Sequence, residues 1–144
     1  MELLAKAARD GVAPDADALL QAVPYCAFLG VRARLEDGRL VLEMPFANRL
    51  IGNPVLPAIH GGVIGSLLET AAIVQTVWEM RAVKLPKPVD ITVDYLRTGR
   101  PVTSFARATL ARAGRRVVNV HATMWQEDET KPVAGLRGHF LIGT

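Results

Sequence analysis

The sequence predicts an α+β fold in which one long central helix is wrapped by a curved antiparallel sheet, with a helical segment before it. Three observations carry this. The segment HGGVIGSLLETAAIVQTVWEM has apolar or small residues on nearly every face of a helix from about Gly62 to Met80, so that helix must be covered on most sides. From Val89 onward the hydrophobic period is two and persists to the C-terminus, which is the pattern of strands. The chain has 144 residues, 50% of them hydrophobic and one of them cysteine. That is enough for one core without disulfides or Cys-rich zinc sites, and too little for two of ordinary size.

The elements follow in order. Leu3, Leu4 and Ala7 recur at helical spacing, Asp15 or Asp17 caps a second helical stretch through Leu19 and Leu20, and Pro24 ends it. Residues 1–24 are therefore read as an N-terminal helical segment and 25–144 as a single domain. From Phe28 the period changes to two, and Leu40, Leu42 and Met44 alternate after an Asp37-Gly38 turn, giving a β-hairpin. A loop rich in Pro and Gly runs from Ala47 to Ile59 into the long helix. That helix is no membrane span, because Glu69 interrupts it after a short apolar run. Val89, Ile91, Val93 and Tyr95 share one strand face. Further strands follow around Phe105 to Ala111, through Val118 to Met124, and through Phe140 and Ile142, with turns at Ala113-Gly114 and at 127–132. One helix inside one sheet leaves sheet edges and part of the helix uncovered, so a homo-oligomer, dimer or tetramer, is expected.

The charge pattern excludes some functions. The excess of 17 basic over 14 acidic side chains is spread along the chain and forms no basic stripe with interleaved aromatics, so no nucleic-acid partner is expected. The three histidines have no metal-ligand spacing, and no metal is expected. The N-terminal MELLAKAARDGVAPD is charged throughout and lacks the apolar core of a signal peptide, which with the lone Cys26 points to the cytoplasm and to no membrane association.

Two features carry chemistry. Glu69 lies in the middle of GGVIGSLLETAAIV, where full burial of a carboxylate costs several kcal/mol unless it is neutral, hydrogen-bonded or facing a cavity. A general base fits, and so does an acid that faces solvent or pairs with an Arg of a partner subunit. His60-Gly61-Gly62 opens the helix, and the N–H groups of a first turn lack intrahelical partners. An oxyanion suits them, and a His cap with glycines that merely pack tightly fits as well. It is not a dinucleotide fingerprint, because the Gly-x-Gly spacing is absent and no strand precedes it. Gly61 and Glu69 stand eight residues apart, about 12 Å along one helix. One carbonyl reaches both only if Gly61 of one subunit faces Glu69 of another across a two-fold axis.

The stretch IGNPVLPAIHGGVIGSLLETAA resembles the helix-start signature of the hotdog-fold acyl-CoA thioesterases, in particular the phenylacetic-acid-degradation-type group, and the flanking order of elements is similar from about Phe28 to the C-terminus. The resemblance implies hydrolysis of a small or aryl acyl-CoA thioester, with coenzyme A as part of the substrate and no separate cofactor, and an active site at the subunit interface. It implies Glu69 as base or nucleophile, the Gly61 N–H as oxyanion donor, and His60 as a positioning or polarising group. Pro54 stands where the group commonly has Asn or Gln, so Asn53 is the nearest replacement, and Ile73 stands where some relatives carry Ser or Thr. The phosphates of coenzyme A call for cations: Arg115 and Arg116 beside Gly114 come first, with Arg97 and Arg100 next. Trp78, Trp125, Tyr95 and Phe46 line an acyl pocket or simply fill the core. Cys26 has no base at readable spacing. A non-catalytic acyl-CoA-binding module and an enoyl-CoA hydratase are the alternatives.

Overall fold

A computed structural model describes residues 2–11 and 14–143, and of Ala8 the backbone only. Three short helices come first: α1 (Glu2–Asp10), α2 (Ala16–Ala22) and α3 (Pro24–Leu29). Asp15 caps α2 by accepting from the Ala18 N–H at 3.1 Å. The stretch through Leu19 and Leu20 stops at Ala22, just before Pro24, as the sequence suggested, but the helical segment does not end there: Pro24 occupies the first turn of α3, where its missing N–H costs nothing. Phe28 accordingly lies on α3 and not on a strand. Gly30, at φ 75°, closes α3 in the left-handed region that glycine adopts without penalty.

The chain then forms the hairpin β1 (Arg32–Glu36) and β2 (Arg39–Met44) about Asp37 and Gly38, both at positive φ, as a two-residue primed turn requires. A 3-10 turn leads to the small ribbon β3 (Ile51–Asn53) and β4 (Ala58–Ile59). A strand thus does precede His60, contrary to the sequence reading: β4 is two residues long, too short for a period to register. Next come α4 (Gly61–Met80) and the strands β5 (Lys87–Tyr95), β6 (Ser104–Ala113), β7 (Val117–Trp125) and β8 (Ala134–Leu141). The six-stranded antiparallel sheet runs β1-β2-β6-β7-β8-β5, and α4 lies against its inner face, over β6, β7 and β8.

The core sits between α4 and that face. Val63, Ile64, Leu67, Leu68, Ala71 and Val74 meet Ala106, Val118, Val120, Met124, Leu136 and Phe140, all buried. Burying Leu67 or Phe140 in full contributes about 2 to 3 kcal/mol each. The one buried hydroxyl on α4, Thr76, donates back to the Ala72 carbonyl at 2.8 Å, so it carries no desolvation penalty. Strand β5 is an edge, and Val89, Ile91 and Tyr95 are exposed along it. Its register with β8 puts Ile91 and Tyr95 opposite the inward Gly138 and Ala134. The apolar face that the sequence pattern marks is therefore present and uncovered within one chain.

The N-terminal helices are fastened to the sheet by Asp17. Its carboxylate accepts from Arg32 Nε at 2.9 Å and Nη2 at 2.6 Å, and from the Ala33 N–H at 2.9 Å. The Arg32 guanidinium holds the Asp17 carboxyl below the ordinary carboxylate range; burial opposes this and the Ala33 N–H supports it. A carboxyl with a lowered folded pKa contributes stability that is present above its unfolded value of about 3.9 and is lost as pH falls through the lower folded value. Asp17→Asn should cost about 1 kcal/mol near neutral pH, after allowance for solvent screening. Urea titrations should show that difference shrinking below about pH 4; an equal difference at pH 7 and pH 3 would place its origin elsewhere.

Candidate active site

Helix α4 positions both halves of the site. At its start His60 is the N-cap, and its Nδ1 accepts from the Gly62 N–H at 2.8 Å. The Val63 and Ile64 N–H groups bond back to the His60 carbonyl at 3.0 and 3.2 Å. The Gly61 N–H is left: among the described residues it meets no acceptor. It stands at the positive end of a 20-residue helix. The Tyr95 hydroxyl donates to the Gly61 carbonyl at 2.8 Å and fixes the plane of the peptide that follows. Gly52 lies beneath; a Cβ there would come within 2.7 Å of the His60 Cα, so the β3 backbone can approach the helix start only as glycine.

Glu69 is half-buried on α4 and faces a cavity of about 180 Å³, one of the three conditions under which the sequence permits a carboxylate there. It makes no hydrogen bond or ion pair among the described residues. From α4 the cavity is lined by Ser66, Glu69, Thr70, Ile73 and Val74; from α2, α3 and the segment between them, by Leu19, Leu20, Val23, Tyr25 and Cys26; Leu85 completes it. Two polar groups therefore flank the acid. The Ser66 hydroxyl donates to the Gly62 carbonyl at 2.7 Å, and Thr70 Oγ1 lies 4.0 Å from Cys26 Sγ. Burial pushes the Cys26 thiol up, with the Thr70 hydroxyl acting weakly against it. That is the opposite of what a nucleophilic thiolate needs.

Of the residues singled out in the sequence, Gly61, His60 and Glu69 share one helix and its cap. Asn53 ends β3, and its Oδ1 accepts from the Val55 and Leu56 N–H groups at 3.0 and 3.3 Å, which ties it to the 54–57 turn. The aromatic residues named for an acyl pocket do not line this cavity; Tyr25 does. Trp125 instead stacks on Phe105 with ring centroids 5.9 Å apart. The arginines are divided. Arg116 sits beside Val117, which pairs with Leu141, which pairs with Lys87 at the start of β5. Arg97 follows the far end of β5 and donates to the Pro132 carbonyl at 2.6 Å. Nine residues of strand separate them, about 30 Å, so Arg97 and Arg116 of one chain do not meet on one phosphate group. Arg100 is engaged with Glu127 at 2.8 Å, whereas the Arg115 and Arg116 guanidiniums have no partner among the described residues.

Sequence reasoning passed over Ser66 and Gly52, and noted Thr70 only as the residue that adjoins Glu69. Ser66 stands three residues before Glu69 and Thr70 one after it, so helical spacing alone could have set Ser66 on the same face. Gly52 gave no such signal, because its constraint comes from a backbone eight residues further on.

Residues 53–141 match the family model described as the acyl-CoA thioesterase N-terminal domain. The chain belongs to that family. Its fold is the hotdog fold, and its reaction class is thioester hydrolysis. The medium/long-chain acyl-CoA thioesterase YigI of Salmonella typhimurium is 28% identical over 136 residues, which cover 84% of this chain and 86% of that protein. A crystal structure of a protein from Chromobacterium violaceum is 36% identical, covers 100% of this chain and 98% of its own, and superposes with a TM-score of 0.75. A Bacillus halodurans protein crystallised with CoA shares the fold at a TM-score of 0.78 and 20% identity, over 89% of this chain and 87% of that one. Among the described residues of this thioesterase, no helix is long and apolar enough to cross a membrane.

Proposed function

We propose that this thioesterase hydrolyses acyl-CoA esters with an apolar, medium-length or aryl acyl group, and that its active unit is a dimer. The observation that carries the reading is Glu69: a carboxylate on the wall of an apolar cavity, with no hydrogen-bond or ion-pair partner among the described residues. Glu69 acts as general base. It takes a proton from a water molecule as the water oxygen bonds to the thioester carbon. The carbonyl oxygen, now an oxyanion, is held by the Gly61 N–H of a second copy, and collapse breaks the C–S bond and releases the CoA thiolate, which takes up a proton. Ser66 and Thr70 hold the water beside Glu69. His60 holds the first turn of α4, and Asn53 holds the turn beside it.

The second copy is needed because Gly61 and Glu69 lie eight residues apart on α4, about 12 Å. The exposed apolar residues Val89, Ile91 and Tyr95 on the β5 edge support the arrangement: antiparallel pairing of two such edges about a two-fold axis would cover them and bring a second α4 alongside the first. The same pairing sets Arg97 of one copy near Arg115 and Arg116 of the other, which resolves their separation within a chain and makes a cationic site for the phosphates of coenzyme A. No separate cofactor enters this reaction. The buried lone thiol of Cys26 suits a reducing compartment such as the cytoplasm.

The test is thiol release from a panel of acyl-CoA esters, with enoyl-CoA hydration followed in parallel. Turnover on octanoyl- or phenylacetyl-CoA with free thiol appearing is expected. Binding without thiol release would leave a sensing module, and hydration without it a hydratase.

A further inference from the structure

We infer that the α2–α3 segment is the chain-length stop of the acyl pocket, an inference that rests on the thioesterase reading of Glu69. The α4 residues of the cavity run from Ser66 to Val74, about 12 Å along the helix. The opposite wall is supplied almost wholly by α2, α3 and Val23 between them. An aliphatic cavity of about 150 Å³ takes a benzene molecule, and the cavity here, about 180 Å³, is of the same order.

That wall is fixed at several points. The Asp17 carboxylate ties α2 to Arg32 and to the Ala33 N–H, and Gln21 Nε2 donates to the Val31 carbonyl at 3.3 Å. Arg49 Nε donates to the Phe28 carbonyl at 2.8 Å, and its guanidinium lies over the Phe28 ring. Leu19 and Leu20 are fully buried in the main core. A longer chain therefore meets a packed wall that belongs to the core and not a loose loop. The sequence boundary at residue 24 falls in the middle of this wall, so the segment before it supplies part of the substrate site.

Two measurements test this. The first is kcat/KM across butyryl- to tetradecanoyl-CoA for the wild type, Leu20→Ala and Val23→Phe. The wild type should lose at least about tenfold between octanoyl- and dodecanoyl-CoA, Leu20→Ala should raise the dodecanoyl-to-octanoyl ratio about tenfold, and Val23→Phe should lower the octanoyl-to-butyryl ratio by a similar factor. The second uses Cys26, the only cysteine in the chain. A saturating octyl thioether of CoA should slow its alkylation about tenfold or more, since only the free fraction reacts, and the methyl thioether of CoA, which has neither the long chain nor a free thiol to consume the reagent, should not. Unchanged ratios in both variants, or an unprotected Cys26, would overturn the inference. Protection of Cys26 in a protein whose turnover survives loss of Glu69 would support the pocket while removing Glu69 as base, so the two readings fail separately. Should Leu20→Ala not fold, Val23→Phe and the alkylation rates still decide.

Discussion

Replacing Glu69 with Gln should lower kcat for octanoyl-CoA about 100- to 10,000-fold, the range that loss of a positioned general base produces. KM should change little, because Gln has the same shape and removes only the group that accepts the proton. The variant should be no less stable than the wild type. Glu69 makes no hydrogen bond or ion pair among the described residues, so no partner is stranded, and a neutral amide is cheaper than a carboxylate beside an apolar cavity. A thermal melt run beside the thiol-release assay therefore separates the two roles an acid on a helix can have. A large loss of turnover with an equal or higher melting temperature is the signature of a catalytic group. A loss of both would mean that Glu69 is structural, and unchanged turnover would remove it from the mechanism. Solvent labelled with oxygen-18 addresses the chemistry further: a general base leaves the label in the released acid, whereas direct attack by Glu69 leaves some in its own carboxylate after a single turnover.

How much of this was legible in the sequence depends on how local each constraint is. Helix α4 was readable to within one residue at its start, since a glycine pair after His60 and an unbroken run to Met80 are local signals. The Asp37-Gly38 turn was readable for the same reason. Pro24 misled because one residue type serves two purposes: proline ends a helix when it lies inside one and opens a helix at the first turn, and the 16–29 segment holds two helices back to back. The place of β5 at the sheet edge, beside β8 and not beside β6, its neighbour in sequence, was not readable. Strand order is set by which apolar faces can be covered together, which no spacing records. The cavity beside Glu69 was hidden for a related reason: its α2–α3 wall comes from residues 19–26, more than 40 positions before the acid.

The second large effect concerns a single N–H group, and the structure supplies an unusually clean way to delete it. Gly61→Pro removes the proposed oxyanion donor while placing proline at the first position of α4, where it is favoured. His60, at φ −59° and ψ 133°, already has the extended conformation required before a proline. The deleted N–H has no acceptor among the described residues to lose. A side chain at that position meets the Tyr95 ring at 3.5 Å, an ordinary contact. The helix should therefore persist, with an unchanged circular dichroism spectrum, while kcat falls about 100- to 1,000-fold. Mixing then decides whether one chain or two build the site. In a heterodimer of Glu69→Gln and Gly61→Pro chains, a site that takes its acid from one chain and its N–H from the other is doubly damaged on one side and intact on the other. Random exchange makes half of the dimers mixed, so two nearly inactive proteins should together regain about a quarter of wild-type activity. A site contained in one chain predicts no recovery at any mixing ratio, because each chain then carries its own defect, and that result would reject the shared site even if both single substitutions behaved as expected.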